Sequence, residues 1–542
     1  MTTILTRRFV LEGGLASLGL FALPLAARAA APAFTHGVAS GDPKQDRVTL
    51  WTRCFPADGT TARVRVEVAQ DPGFRRRVAA DWGVASPDND YCVKIVATGL
   101  QPGSRYHYRF IGPDGATSPV GRTRTLPARG SDPFRVAVLS CANMDFGYFN
   151  AYRHLAGRSD IDLVLHLGDY IYEWGNGTHS LAAQALKDRI SRPSNETVTL
   201  DDYRTRYAWY RADPDLAEMH RMLPIVSIVD DHEVANNSWR DGAGNHQPNE
   251  GSYQVRKAAA MKAYHEWLPM PDTPYDRYDI GDLAAIFRLD TRLLARDEPP
   301  SLNDALAGAA DPIKAMAAFR DGVLQDPRRQ LLGEAQERWL ADGLARSVND
   351  GQRWQILSQQ VIMAERVLPQ AAARWARTPP APGSKADLRQ QLALASSRAG
   401  LPLSLDDWNG YPAARARVLA AAQAARANLV VLAGDSHNAW ASDLVHDGRP
   451  AGVEYAGQSV ASLGIDGRFD ADPAQIAADM IAANPTLKWC DTSRRGYMTV
   501  TLTHDAARAD WVMLDTVARR STDLAGTASA TAGHGARALA IG

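Results

Sequence analysis

The chain has 542 residues, 45% of them hydrophobic and 22% charged, enough for two domains with a sizeable core and too apolar for disorder throughout. Its formal net charge of −1, without a long run of one sign, supplies no polyelectrolyte attraction and argues against a nucleic-acid partner. Four cysteines, Cys54, Cys92, Cys141 and Cys490, are too few and too scattered for a disulfide-built scaffold or a paired-cysteine zinc site.

Residues 1–29 read as an export signal. Arg7 and Arg8 resemble a twin-arginine pair, a moderately apolar run from Leu15 to Ala27 follows, and Ala27-Arg28-Ala29 places small residues where a signal peptidase reads. The run is broken by Gly19 and Pro24 and falls short of the roughly 20 residues that span a bilayer, so no stable membrane anchor is expected. The implied partner is the twin-arginine export machinery, and the implied destination is the periplasm or the medium.

From residue 34 to 127 apolar residues alternate with polar ones, as at Val64, Val66 and Val68 and again at Tyr106, Tyr108 and Phe110. Turn signals such as Pro102-Gly103 separate these segments, and no helical period intervenes. A small antiparallel sandwich of fibronectin or immunoglobulin type is expected, with a supporting or substrate-gating role. Cys54 and Cys92 both fall on its strands; spacing alone leaves a bridge between them open.

From 134 to 518 the pattern changes to short apolar runs separated by helical stretches, which predicts an α/β domain. Four of those runs end in polar clusters. Val136–Leu139 runs into Cys141, Leu163–Leu165 into Gly168-Asp169 and Tyr172, Pro224–Val229 into Asp230-Asp231-His232-Glu233 and Asn236, and Leu429–Leu432 into Gly434-Asp435 and His437. Ligands bind beyond the carboxyl ends of strands in open α/β sheets, so the four ends predict one shared site.

Several aspartates crowded there repel one another unless cations neutralise them. Cys141 and Tyr172 would offer a thiolate and a phenolate suited to ferric iron, while Asp and Asn oxygens suit calcium or magnesium. A mixed-metal centre of this kind would act as Lewis acid and lower the pKa of a bound water. The chain has no G-x-S-x-G elbow, no phosphate-binding GxxxxGKS/T loop and no H-E-x-x-H helix.

These segments form a recognisable set: FTHGVASGDPKQDRVTLWTR at 34–53, LHLGDYIYEW at 165–174, DDHEVANN at 230–237, LDTR at 289–292, GEAQERWL at 333–340, VVLAGDSHNAW at 430–440 and RRGYMTVTL at 494–502. Together they resemble the PhoD-like alkaline phosphatases of the metallophosphoesterase superfamily. The resemblance implies an N-terminal β domain, a catalytic β-sandwich flanked by helices, and a cluster of iron with calcium.

Carried onto this chain, the resemblance puts the iron ligands at Cys141, Asp169, Tyr172 and His437, with Asp169 bridging to calcium and Asn236 and Asp435 on the calcium side. The superfamily's Asn-His-Glu motif aligns alternatively on Asp231-His232-Glu233, which makes Asp231 a further ligand and His232 a stabiliser of the transition state. Arg292 is the candidate to hold a phosphate oxygen, although an arginine after a buried strand is more often an ion-pair partner. Trp408-Asn409-Gly410-Tyr411-Pro412 departs from a family-like W-D-G-Y-P, and long insertions at about 293–330 and 364–405 would reshape the substrate mouth.

His166 sits within its strand and reads as structural. The helix expected around Glu334 to Arg346 reads as a surface helix through Leu340 and Leu344, and the Ala-, Gly-, Ser- and Thr-rich residues 519–542 read as a mobile tail. The expected function is an exported phosphomonoesterase acting on small phosphate esters, with phosphodiesterase activity beside it. The alternatives are a phospholipase D-like diesterase on the same centre and a non-enzymatic cell-surface binding protein.

Overall fold

The computed structural model describes residues 34–56, 59–130, 133–376 and 379–542; the expected export signal at 1–29 lies outside them. Among the described residues the strands form sheets of ten, seven and four. The amino-terminal strands are shared between two of these. Phe34–Gly41, Arg47–Cys54 and Cys92–Thr98 run antiparallel at one end of the ten-stranded sheet, and Ala62–Ala69, Arg77–Ala85, Arg105–Ile111 and Gly121–Arg124 form the four-stranded one.

The alternation read from the sequence points Val48, Leu50, Val64, Val66, Val68, Tyr106, Tyr108 and Phe110 into one core. This region is not a detached unit, because Phe34–Gly41 pairs in parallel with Ile225–Ser227 of the α/β part. Gly41 permits that join: a Cβ there would stand 2.6 Å from the Pro269 carbonyl oxygen and 2.8 Å from that of Ile225. Cys54 and Cys92 are both buried free thiols, so the bridge left open by spacing is absent.

The strands that carry the site lie in two sheets. Phe134–Leu139, Leu163–His166 and Ile225–Ser227 are parallel neighbours in the large sheet, and Ala284–Arg288, Trp354–Ser358, Leu429–Ala433 and Arg449–Ala456 are parallel neighbours in the seven-stranded one. Their continuous apolar runs follow from burial on both faces. Val430 and Leu432 share a core with Val136, Val138, Leu163 and Leu165 of the opposing sheet, whereas Leu429, Val431 and Ala433 pack with residues of the helices Glu334–Asn349 and Pro412–Ala424. Each of these valine and leucine side chains, fully buried, contributes about 1.5–3 kcal/mol. Leu340 and Leu344 form the buried stripe of Glu334–Asn349, as their spacing implies.

Residues 519–542 correct the expectation of a mobile tail. Leu524–Gly533 pairs antiparallel with Ala506–Leu514, and Leu539–Ile541 pairs with it in turn, which extends the edge of the large sheet. Backbone hydrogen bonds on an open edge do not need large side chains, and Ala530 and Ala532 are small enough to be buried there. The insertions at 293–330 and 364–405 fold into helices with a small core of their own, Met316, Phe319, Leu324 and Leu401. Among the described residues, no helix is long and apolar enough to cross a membrane.

Glu454 offers a test of the packing. It is fully buried on the strand Arg449–Ala456, accepts from the Met363 and Ala364 amides, and burial pushes it up to about 7. A carboxyl raised in the folded state gives stability that is present below the unfolded value and lost as pH rises through about 7. Glu454→Gln is therefore expected to narrow the loss of unfolding free energy between pH 5 and 9 by about 3 kcal/mol, measured by denaturant titration. An unchanged difference would show that Glu454 does not titrate in this range.

Candidate metal centre

The four strand ends converge, and they do so through backbone that most residues avoid. Cys141, Asp169, Asp435 and His437 all have positive φ, between 54° and 60°. Non-glycine residues take this left-handed conformation at a cost, and such residues cluster at functional sites. The glycines before the aspartates serve different ends. Gly168 has φ +100°, and a Cβ there would lie 2.3 Å from that of Asp230; at Gly434 a Cβ would lie 2.6 Å from Ser140 Oγ. One glycine turns the chain, and both let neighbouring strand ends close up.

The result is three overlapping groups of donors, each with ligand atoms within 4.8 Å of one another: Cys141, Asp169 and His437; Asp169, Asp231 and His232; and Asp230, Asp231 and Asp435. Tyr172 joins the first, donating its hydroxyl to Asp169 Oδ2 at 2.9 Å and lying 3.3 Å from His437 Nε2. His437 donates Nδ1–H to the Leu463 carbonyl at 2.7 Å, and burial moves its pKa down to about 3. The ring is therefore neutral, with the Nε2 lone pair on the side of the cluster.

The donor set fits cations. Asp169 Oδ1, Asp230 Oδ2 and Asp231 Oδ1 are buried carboxylate oxygens with no hydrogen-bond partner. Leaving such atoms unpaired is unfavourable, and an ion between them resolves it. Burial, with Asp231, Asp230 and Glu233 close by, pushes Asp169 well above the usual carboxylate range, and burial carries Asp435 up to about 7. Burial and the Asp169 charge likewise push the Cys141 thiol and Tyr172 phenol up. These groups resist ionisation together until positive charge is placed among them.

His232 stands at the edge of this cluster. Its Nδ1 donates to Glu173 Oε2 at 2.6 Å, its Nε2 lies 4.0 Å from Asp231 Oδ1, and its ring lies against that of Tyr172, tilted by 31° with centroids 4.1 Å apart. Burial opposes the charged ring, but Asp231 and Glu173 outweigh it and hold the histidine protonated. Glu173 is itself fixed by the Asn236 backbone N–H at 2.7 Å and the Asn245 side chain at 2.8 Å. Asn236 is thus held beside the cluster through its backbone, while Asp230 and Asp231 are the carboxylates that this strand end contributes.

Arg292 corrects the expected phosphate contact. It is fully buried, and it donates to Asp230 at 2.6 Å, Asp406 at 2.6 Å and Asp435 at 3.0 Å. It therefore serves as counter-charge for the carboxylates, the ion-pair role. Two further residues that composition did not single out position the site. Glu233 accepts from the amides of Asp169, Tyr170 and Asp230, tying two strand ends together, and Ser462 stands 2.7 Å from the Tyr172 hydroxyl while donating to the Cys141 carbonyl. Glu233 lay within a quoted motif; Ser462 carried no local signal. His166 is confirmed within its strand, 2.8 Å from the Tyr152 hydroxyl.

The profile of the PhoD-like phosphatase family matches residues 136–511, and that of the PhoD-like phosphatase N-terminal domain matches residues 21–127. Alkaline phosphatase D of Bacillus subtilis (strain 168) is 34% identical over 524 residues, which cover 91% of this chain and 80% of that protein. A solved structure of PhoD superposes with a TM-score of 0.75 at 32% identity, covering 94% of this chain and 92% of that one. Purple acid phosphatase PPD1 from yellow lupin (Lupinus luteus) seeds gives a TM-score of 0.52 at 10% identity, over 91% of this chain and 73% of its own, a likeness of fold alone.

Proposed function

Because the chain belongs to the PhoD-like phosphatase family and is a phosphoric-ester hydrolase, we propose that it is an exported, metal-dependent phosphomonoesterase with phosphodiesterase activity beside it. The reading divides the chain into an export signal at 1–29, a fibronectin- or immunoglobulin-like sandwich at 34–127, and a metallophosphoesterase domain from 134. The observation that carries it is the set of buried, unpartnered carboxylate oxygens on Asp169, Asp230 and Asp231 beside Cys141 and His437.

Cys141, Asp169, Tyr172 and His437 would hold iron, and Asp169, Asp231, Asn236 and Asp435 would hold calcium. When bound, these ions supply Lewis-acid polarisation of a phosphoryl oxygen and lower the pKa of water. The chain's own part is positioning and charge. Glu173 fixes the Nδ1 side of His232, so Nε2–H is the donor left to meet a phosphoryl oxygen as charge builds on it. Arg292 keeps Asp230 and Asp435 in place from behind.

The test is hydrolysis of a generic phosphomonoester and a generic phosphodiester by protein starting at residue 30, with and without chelator, together with elemental analysis. Iron with calcium and loss of hydrolysis on chelation are expected, with the monoester turned over faster. Hydrolysis that survives complete removal of metal would defeat the proposal, and a diester preference would select the diesterase alternative. Export is tested separately: replacing Arg7 and Arg8 by lysine is expected to retain the protein in the cytoplasm, read by fractionation.

A further inference from the structure

A cavity of about 150 Å³ lies between the two insertions and the start of the helix Pro412–Ala424. Three arginines line it, Arg320, Arg366 and Arg415, and each has a carboxylate partner: Asp321 takes two bonds from Arg320 at 2.6 and 2.8 Å, Asp407 pairs with Arg366, and Glu365 pairs with Arg415. Asp321 and Glu365 are weak competitors. Their side chains are 64% and 74% exposed, so their pairs with Arg320 and Arg415 are screened by water.

The arginines are held in place from outside the cavity. Arg415 Nε donates to the Met363 carbonyl at 2.6 Å and Arg320 Nη1 to that of Ala399 at 2.7 Å. Arg366 is 5% exposed, reaches Asp407 at 3.3 Å through Nη2, and keeps a buried Nε–H with no hydrogen-bond partner. An unpaired buried guanidinium N–H is unfavourable unless something else accepts from it. The helix adds to the field, since Pro412 opens it and its N-cap, Tyr411, makes no side-chain capping bond.

We propose that this cavity is a second, non-catalytic site for a phosphate-sized oxyanion. Its volume is well under the roughly 300 Å³ at which pockets for drug-sized ligands begin, and a tetrahedral oxyanion satisfies convergent guanidinium donors. The site is linked to the metal centre by a short chain of ion pairs. Arg366 holds Asp407, the adjacent Asp406 pairs with Arg292, and Arg292 holds Asp230 and Asp435. The oxyanion is either free orthophosphate or the second phosphate of a doubly phosphorylated ester; only this choice rests on the phosphatase reading.

Equilibrium dialysis of the metal-loaded enzyme with labelled orthophosphate is expected to find two sites per chain. Arg415→Gln and Arg320→Gln are each expected to weaken one of them about tenfold, the loss of one charge-assisted contact, and to leave the other site and hydrolysis at low phosphate unchanged. Arg320, whose side chain is 40% exposed, keeps the test independent of folding. A parallel measurement compares KM for a monophosphate ester and a bisphosphate ester. One dialysis site together with a KM rise confined to the bisphosphate in both variants would assign the cavity to a substrate's second phosphate. One dialysis site and an unchanged KM ratio in both variants would overturn the proposal, whatever esters the enzyme hydrolyses.

Discussion

Asp169→Asn is expected to strip the centre of metal and lower hydrolysis about a thousandfold or more, while leaving the metal-free fold at least as stable as the parent. Asp169 belongs to two of the three donor groups, so no other single carboxylate joins the thiol and imidazole side to the Asp231 side. The substitution leaves the backbone at ease, because φ at this position is 54° and asparagine tolerates the left-handed region well. An amide oxygen can still accept from the Tyr172 hydroxyl. What disappears is a buried negative charge that burial and neighbouring carboxylates already disfavour.

The stability difference between metal-loaded and chelated protein reports this directly. A ligand that binds only the folded state stabilises it by mass action, so the parent's melting temperature should rise on loading and the variant's should not. Elemental analysis of both proteins completes the measurement. A variant with the parent's metal content and rate would remove Asp169 from the centre.

The four strand ends were legible in the sequence for a physical reason. A parallel strand buried on both faces must be a continuous apolar run, and polar residues can begin only where it leaves the core, so Leu163–Leu165 and Leu429–Leu432 announced Asp169 and Asp435. The arrangement behind those ligands was not legible, because its pairings join distant segments. Arg292 meets Asp406 across 114 residues, and Glu173 meets the Asn236 amide across 63. Nothing local distinguishes an arginine aimed at phosphate from one aimed at carboxylates. The strand Leu524–Gly533, next to the sheet edge, escaped for a different reason: composition reports side-chain burial, whereas that strand is joined through its backbone. The union of the amino-terminal strands with the large sheet turns on the parallel pairing at Gly41 and Ile225, a register that alternation does not specify.

His232→Gln is expected to lower kcat about 10²–10³-fold with little change in KM or metal content, the effect of removing one preorganised donor from a developing oxyanion. The geometry restricts the outcome. Glu173 takes the Nδ1–H at 2.6 Å, and the Tyr172 ring lies against the imidazole with centroids 4.1 Å apart, so the imidazole presents Nε2 from a fixed position. A glutamine offers a donor without that plane or that anchor. Glu173→Gln separates orientation from chemistry: it leaves the histidine in place but removes the ionised acceptor shared by His232, Asn236 and Asn245. A smaller loss, about 10- to 100-fold, is expected there. Steady-state kinetics with metal analysis on both variants decides the matter. If His232→Gln loses metal in step with activity, the histidine acts through the cluster as a ligand; if metal stays and kcat falls, it acts on the substrate.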